Sequence, residues 1–163
     1  RRARRDEVAH ARAMTRLARA RGARPPRVRF RASPPRSLEA FALENAVEGC
    51  VRELFGAAGL IHQSETASPE LRPTFARIAR DETRHAALSL RVFHWCASRL
   101  DAAARARVTA AMETSIASLL SGWEEPVSAP ELGWPSAFTS QRLARQLHAT
   151  IWRELGSIGS QQA

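Results

Sequence analysis

The sequence has no Lys, no Tyr, a single Asn at position 45 and only two Cys among its 163 residues. With Lys absent, all 25 basic side chains are Arg, the bias expected of a GC-rich genome, so much of the basic charge reflects codon usage. The absence of Tyr excludes a tyrosyl-radical role for this stretch. Cys50 and Cys96 form no C-x-x-C pair. That excludes a four-Cys iron site, argues against a disulfide framework and predicts two isolated buried thiols. Long hydrophobic runs are missing too: apolar residues make up 44% of the chain but are broken everywhere by Arg or Glu, which leaves nothing able to span a bilayer. No strand pattern, flavin, haem or iron–sulfur motif is present.

What the chain does have is helical periodicity and uneven charge. Up to Arg36 there are 13 Arg against Asp6 and Glu7, while the remainder holds 12 Arg against 14 acids. Only the first third is basic. Phe30 is the one aromatic side chain there, too few to stack successive bases, so a solvated helix face is favoured over a phosphate-tracking one. The chain begins with Arg1 inside a helical pattern, so an N-terminal signal could be missing from it. Localisation is thus unknown, with a cytoplasmic setting slightly favoured.

Arg1 to about Arg21 reads as a helix with Glu7, His10, Ala11, Met14, Leu17 and Ala18 on one stripe. Gly22 to Arg36 carries Pro25, Pro26, Pro34 and Pro35 and cannot continue it. Extended, that connection reaches up to roughly 50 Å, enough to traverse a bundle end to end. A second helix is predicted over 37–64, with Leu38, Phe41, Glu44, Glu48, Val51, Phe55 and Ala58 inward. A third runs from Ser68 to Leu100, with Pro69 in its first turn and Phe75, Ile78, Glu82, His85, Leu88, Val92 and Cys96 inward. Asp101 caps a fourth helix, with Val108, Met112, Ile116 and Leu119 facing the core. After a Pro- and Gly-rich loop over 122–134, Pro135 opens a last helix carrying Phe138, Leu143, Leu147 and Ile151.

Two of these helices repeat one motif. Asp6-Glu7-Val8-Ala9-His10-Ala11 and Asp81-Glu82-Thr83-Arg84-His85-Ala86 are both D-E-x-x-H-A. One E-x-x-H match is expected about 0.4 times by chance in this composition, but two copies with both flanking residues are not. Residues three apart share a helix face, so each Glu–His pair can serve the same or neighbouring metal ions. Buried carboxylates cost several kcal/mol each unless cations offset them. The midpoint of Glu48 and Glu82 falls in the predicted turn at 64–69, which places Glu48 level with Glu82: the two arms are about 24 Å and 20 Å at a 1.5 Å rise.

Glu7, His10, Glu48 within Glu44-Asn45-Ala46-Val47-Glu48-Gly49, Glu82 and His85 resemble the rubrerythrin-like and broader ferritin-like di-metal carboxylate proteins in order and approximate spacing. The likeness covers roughly residues 1–100. It implies an all-α fold: a ferritin-like four-helix bundle with a long crossover in 1–100, its first helix missing upstream of Arg1, plus a C-terminal two-helix extension packed on the bundle in 101–163. That family takes one Glu from each of two helices and a Glu-x-x-His from each of the other two. The resemblance therefore makes Glu7, His10, Glu48, Glu82 and His85 the metal-binding and catalytic residues, with Glu44 as a further candidate ligand. Asp6 would orient His85, Asp81 would orient His10, and Arg84 would support them, as the similar D-E-x-R-H form of bacterial di-iron monooxygenases implies. The implied cofactor is two iron ions, or an Fe/Mn pair, with an external electron donor as partner and a homo-oligomer as one assembly. Its implied activity is an oxidoreductase acting on O₂ or peroxide. Ferroxidase or metal binding without an organic substrate is the alternative, and a non-enzymatic module binding nucleic acid or a partner through Arg1–Arg36 is a third. His62, His94 and His148 are expected as ordinary helix residues, and Trp95, Trp123, Trp134 and Trp152 as packing groups.

Overall fold

The structure, a computed structural model, describes residues 2–26, 34–122, 124 and 129–160. Arg1, residues 27–33 of the Pro-rich connection, Trp123 and residues 125–128 of the later loop lie outside them. The class is all-α: helix accounts for 81% of the described residues, and no strand occurs among them. No helix among them is long and apolar enough to cross a membrane. Two compact units divide the chain, residues 1–35 and 36–163.

Among its described residues, the first unit is built on one helix, α1 (Arg2–Ala20). It ends at Gly22, whose positive φ of 78° is the left-handed geometry that stops a helix. Gly22 N–H donates to the Arg19 carbonyl and Ala23 N–H to that of Ala18, satisfying the last turn. The two buried residues of α1 are His10 and Ala13, while Glu7, Ala11 and Met14 are exposed. Its inner stripe is therefore rotated slightly from the expected one.

Among its described residues, the second unit contains four helical rods. The first joins α2 (Leu38–Glu44), a π-helical segment (Asn45–Glu53) and α3 (Leu54–Thr66) without a break. Then come α4 (Arg72–Ala97), α5 (Ala102–Leu120), and a last rod of α6 (Ala137–Leu147), a second π segment (His148–Trp152) and α7 (Arg153–Ser160). Side chains specify where three of them start. Ser37, Asp101 and Ser136 accept from the backbone N–H of Ala40, Ala104 and Thr139, each relieving one of the donors a helix start leaves unbonded. Asp101 is the cap expected from sequence. By contrast, α4 starts at Arg72 rather than Ser68, because 68–71 form a turn in which Leu71 N–H donates to the Ser68 carbonyl.

All four rods share one core. Ala42, Cys50, Phe93, Met112, Ala144 and Trp152 belong to a single cluster of buried side chains. Residues 101–160 therefore complete the core begun by residues 36–100. Buried Val108, Met112 and Ile116 of α5 are the inner residues read from sequence. Phe41 and Leu88, expected inward, are instead 39% and 44% exposed, and Phe138 of the last rod is 73% exposed. Small residues take their places: Ala42, Ala46, Gly49, Ser89, Ser140 and Ala144 are buried. Beside the large core residues, the first rod, α4 and α6 bury a stripe of small side chains that a search for large apolar residues does not find. Trp152 is fully buried, whereas Trp95, stacked under Arg99 at 4.4 Å, and Trp134 are about half exposed.

The turn between α3 and α4 is held by a distant stretch of chain. Ser68 N–H donates to the Glu131 carbonyl, Gln63 Nε2 to that of Leu132 at 2.9 Å, and Thr66 Oγ1 to that of Gly133. Gly133 has φ 59° and lies so close to the Ala67 backbone that no Cβ fits. Buried Gln63 thereby fixes where the hairpin turns.

Candidate metal site

The hairpin of the first rod and α4 sets the register of the site. Ser89 Oγ–H donates to Glu53 Oε2 at 3.0 Å, and a Cβ on Gly49 would come within 2.5 Å of Ser89 Oγ. Glu53 also faces His85, so the antiparallel pairing is centred near residue 69, inside the turn at 67–71. The sequence reading centred it on residue 65. Moving the centre of a hairpin by four residues moves each partner by about eight, or roughly 12 Å along the helix.

Residue 56 then lies opposite Glu82, and Glu53, opposite His85 and within one turn of that level, takes the place assigned by sequence to Glu48. Glu53, Glu82 and His85 each offer one ligand atom within 4.8 Å of one another. His85 Nδ1 lies 3.3 Å from Glu82 Oε2 and 3.9 Å from Glu53 Oε1. The His85 side chain is 7% exposed, that of Glu82 14% and that of Glu53 31%. Metal–ligand bonds of about 2.0–2.2 Å place neighbouring donors on one ion roughly 3 Å apart, so the His85–Glu82 pair at 3.3 Å is near that spacing, the His85–Glu53 pair at 3.9 Å is wider, and the oxygen–nitrogen chemistry suits a divalent cation.

Glu48 and Glu44 point elsewhere. The side chain of Glu48 is 56% exposed and accepts from Arg52 Nη1 at 2.8 Å, an i,i+4 pair on the outer surface. Glu44 is half exposed and paired with Arg36. Asp81 accepts from Arg84 Nη2 at 2.6 Å, one turn along α4. Glu7 and His10 belong to the first unit with Asp6, and there His10 Nδ1 lies 3.9 Å from Glu7 Oε2, the one-turn spacing of their motif.

The π segment explains why Glu53 escaped sequence reasoning. Its i→i+5 turns hold one more residue than α turns, so positions four and five apart share a face. Four residues of the segment converge on Ser89. Asn45 Nδ2 donates to the Ser89 carbonyl at 3.0 Å, Cys50 Sγ–H approaches the same oxygen at 3.5 Å, Gly49 admits the Ser89 side chain, and Glu53 receives its hydroxyl. The indole N–H of Trp152 donates to the Cys50 carbonyl at 2.8 Å, tying the segment to the last rod. Burial, with a smaller contribution from the Glu53 charge, pushes the Cys50 thiol up to about 12. Cys50 and Cys96 are both free and buried, and burial raises the Cys96 thiol as well. The one available signal for Glu53 was its place eight residues after Asn45, the only Asn in the chain.

Comparison of the chain with protein-family models, with curated proteins and with solved structures gives no match.

Proposed function

We propose that the chain is a ferritin-like di-metal carboxylate protein, an oxidoreductase that acts on O₂ or peroxide. The observation that carries this reading is the convergence of Glu53, Glu82 and His85 at one level of a helical hairpin, with Glu82 and His85 drawn from a repeated D-E-x-x-H-A motif. Two carboxylates beside an imidazole in a largely buried setting repel one another and lose solvation, and a divalent cation removes both costs. In this reading Glu53, Glu82 and His85 hold a metal ion, and Glu7 and His10 are proposed, on their motif alone, as further metal ligands. Iron or manganese bound there would supply electron transfer to an oxygen species, fed by an external donor. The chain's own residues bind, orient and partly shield the metal from water.

Metal handling without an organic substrate uses the same ligands, and turnover separates the two. Protein expressed with iron is expected to carry stoichiometric metal and to consume O₂ or peroxide when a reductant is supplied. A Glu82→Ala, His85→Ala variant is expected to lose most of that metal. Equal metal in the two proteins ends the di-metal reading. Full metal with no O₂ or peroxide consumption leaves the metal-handling function in its place.

A further inference from the structure

Ser89 lies opposite the π segment and outside the set of side chains able to ligate. Its surroundings are built to fix it. Its backbone carbonyl receives Asn45 Nδ2 at 3.0 Å and faces Cys50 Sγ at 3.5 Å, while its side chain enters the space left by the missing Cβ of Gly49. So held, the hydroxyl donates to Glu53 Oε2 at 3.0 Å. The other oxygen of the same carboxylate, Oε1, is the one that faces His85 Nδ1.

We infer that Ser89 is a positioning residue that occupies one oxygen of Glu53, so that Glu53 offers only Oε1 to a cation shared with Glu82 and His85. The inference rests on the metal-site reading above. A carboxylate with one oxygen held by a hydroxyl binds a metal through a single oxygen, and the held oxygen keeps the ligand from turning away when the ion is absent. Without the hydroxyl, Glu53 is free to bring both oxygens to the ion or to rotate toward solvent, where it is already partly exposed. Loss of such a supporting partner costs about 10–100-fold in metal affinity.

The test uses the full chain and Mn²⁺ as probe, with free Mn²⁺ followed by electron paramagnetic resonance. Infrared difference spectra on ¹³C-glutamate-labelled protein report the separation of the two carboxylate stretches, and Glu53→Gln identifies the band of Glu53. Wild type is expected to show the wide separation of one-oxygen binding. Ser89→Ala is expected to narrow it and to weaken Mn²⁺ binding about 10–100-fold at unchanged helicity, while Ser89→Thr, which keeps the hydroxyl, stays within a few-fold of wild type. Wild-type affinity and separation in Ser89→Ala overturn the inference, as does an equal loss in the Ala and Thr variants, which marks a purely steric role. If Glu53→Gln binds Mn²⁺ as wild type does, the metal-site reading itself is what fails.

Discussion

Glu48 and Glu53 are the same residue type five positions apart, and their neighbours decide which of them can serve a cation. Glu48 faces outward to Arg52, and Glu53 faces His85 and Ser89. Exposed i,i+4 pairs contribute about 0.3–0.5 kcal/mol, so Glu48→Ala is expected to change stability little. Cys50 is a free thiol buried in the core. Its folded thiol keeps the proton to about pH 12, while in the unfolded chain a thiol releases it near pH 8.5. The folded state binds the extra proton between those values, so stability falls as pH rises through that window. Denaturant midpoints measured from pH 8 to 10.5 are expected to decline in wild type and to decline less in Cys50→Ala. Alkylation of either thiol in the native protein at pH 8 is expected to be far slower than in the unfolded chain.

At the scale of the element, the π segment and its fit against α4 control the site. Gly49→Ala places a methyl against both Ser89 Oγ and Ser89 Cβ, at 2.5 and 2.6 Å, and overpacking of that kind costs about 1–3 kcal/mol. The expected outcome is a lower denaturant midpoint together with weaker metal binding, because the displaced group is the one that holds Glu53. Trp152→Phe leaves the Cys50 carbonyl buried without its indole donor, at a cost of about 1–3 kcal/mol in chemical denaturation. On the surface, Arg107 donates to both oxygens of Glu39, at 2.6 and 3.0 Å, and these hydrogen bonds hold the Glu39 carboxyl below the usual range. The pair's stabilisation is present above the ordinary carboxylate pKa and is lost as pH falls through the lowered folded value. Melting temperatures of wild type and Glu39→Gln are therefore expected to converge at acid pH.

For the whole molecule, the helical class, the capped start of α5 and its inner residues Val108, Met112 and Ile116 were legible in the sequence, because caps and large apolar residues at helical spacing report directly on local physics. The motif carrying Glu82 and His85 was legible for the same reason. Glu53 was not. Its position depends on a hairpin turn fixed by Gln63 and the stretch 131–133, about seventy residues away in sequence, on a stripe of small residues rather than large ones, and on a π segment that changes the period. The same long-range dependence joins α5 and the last rod to the core of the hairpin, so that changes at Trp152 or Gly133 are expected to reach the site.

Binding of a divalent cation by Glu53, with Glu82 and His85, is checked by titrating Mn²⁺ into wild type, Glu48→Ala and Glu53→Ala under identical conditions. The expected result is the same affinity and stoichiometry for wild type and Glu48→Ala, and loss of at least one bound ion in Glu53→Ala. Binding that survives in Glu53→Ala but is lost in Glu48→Ala would contradict it.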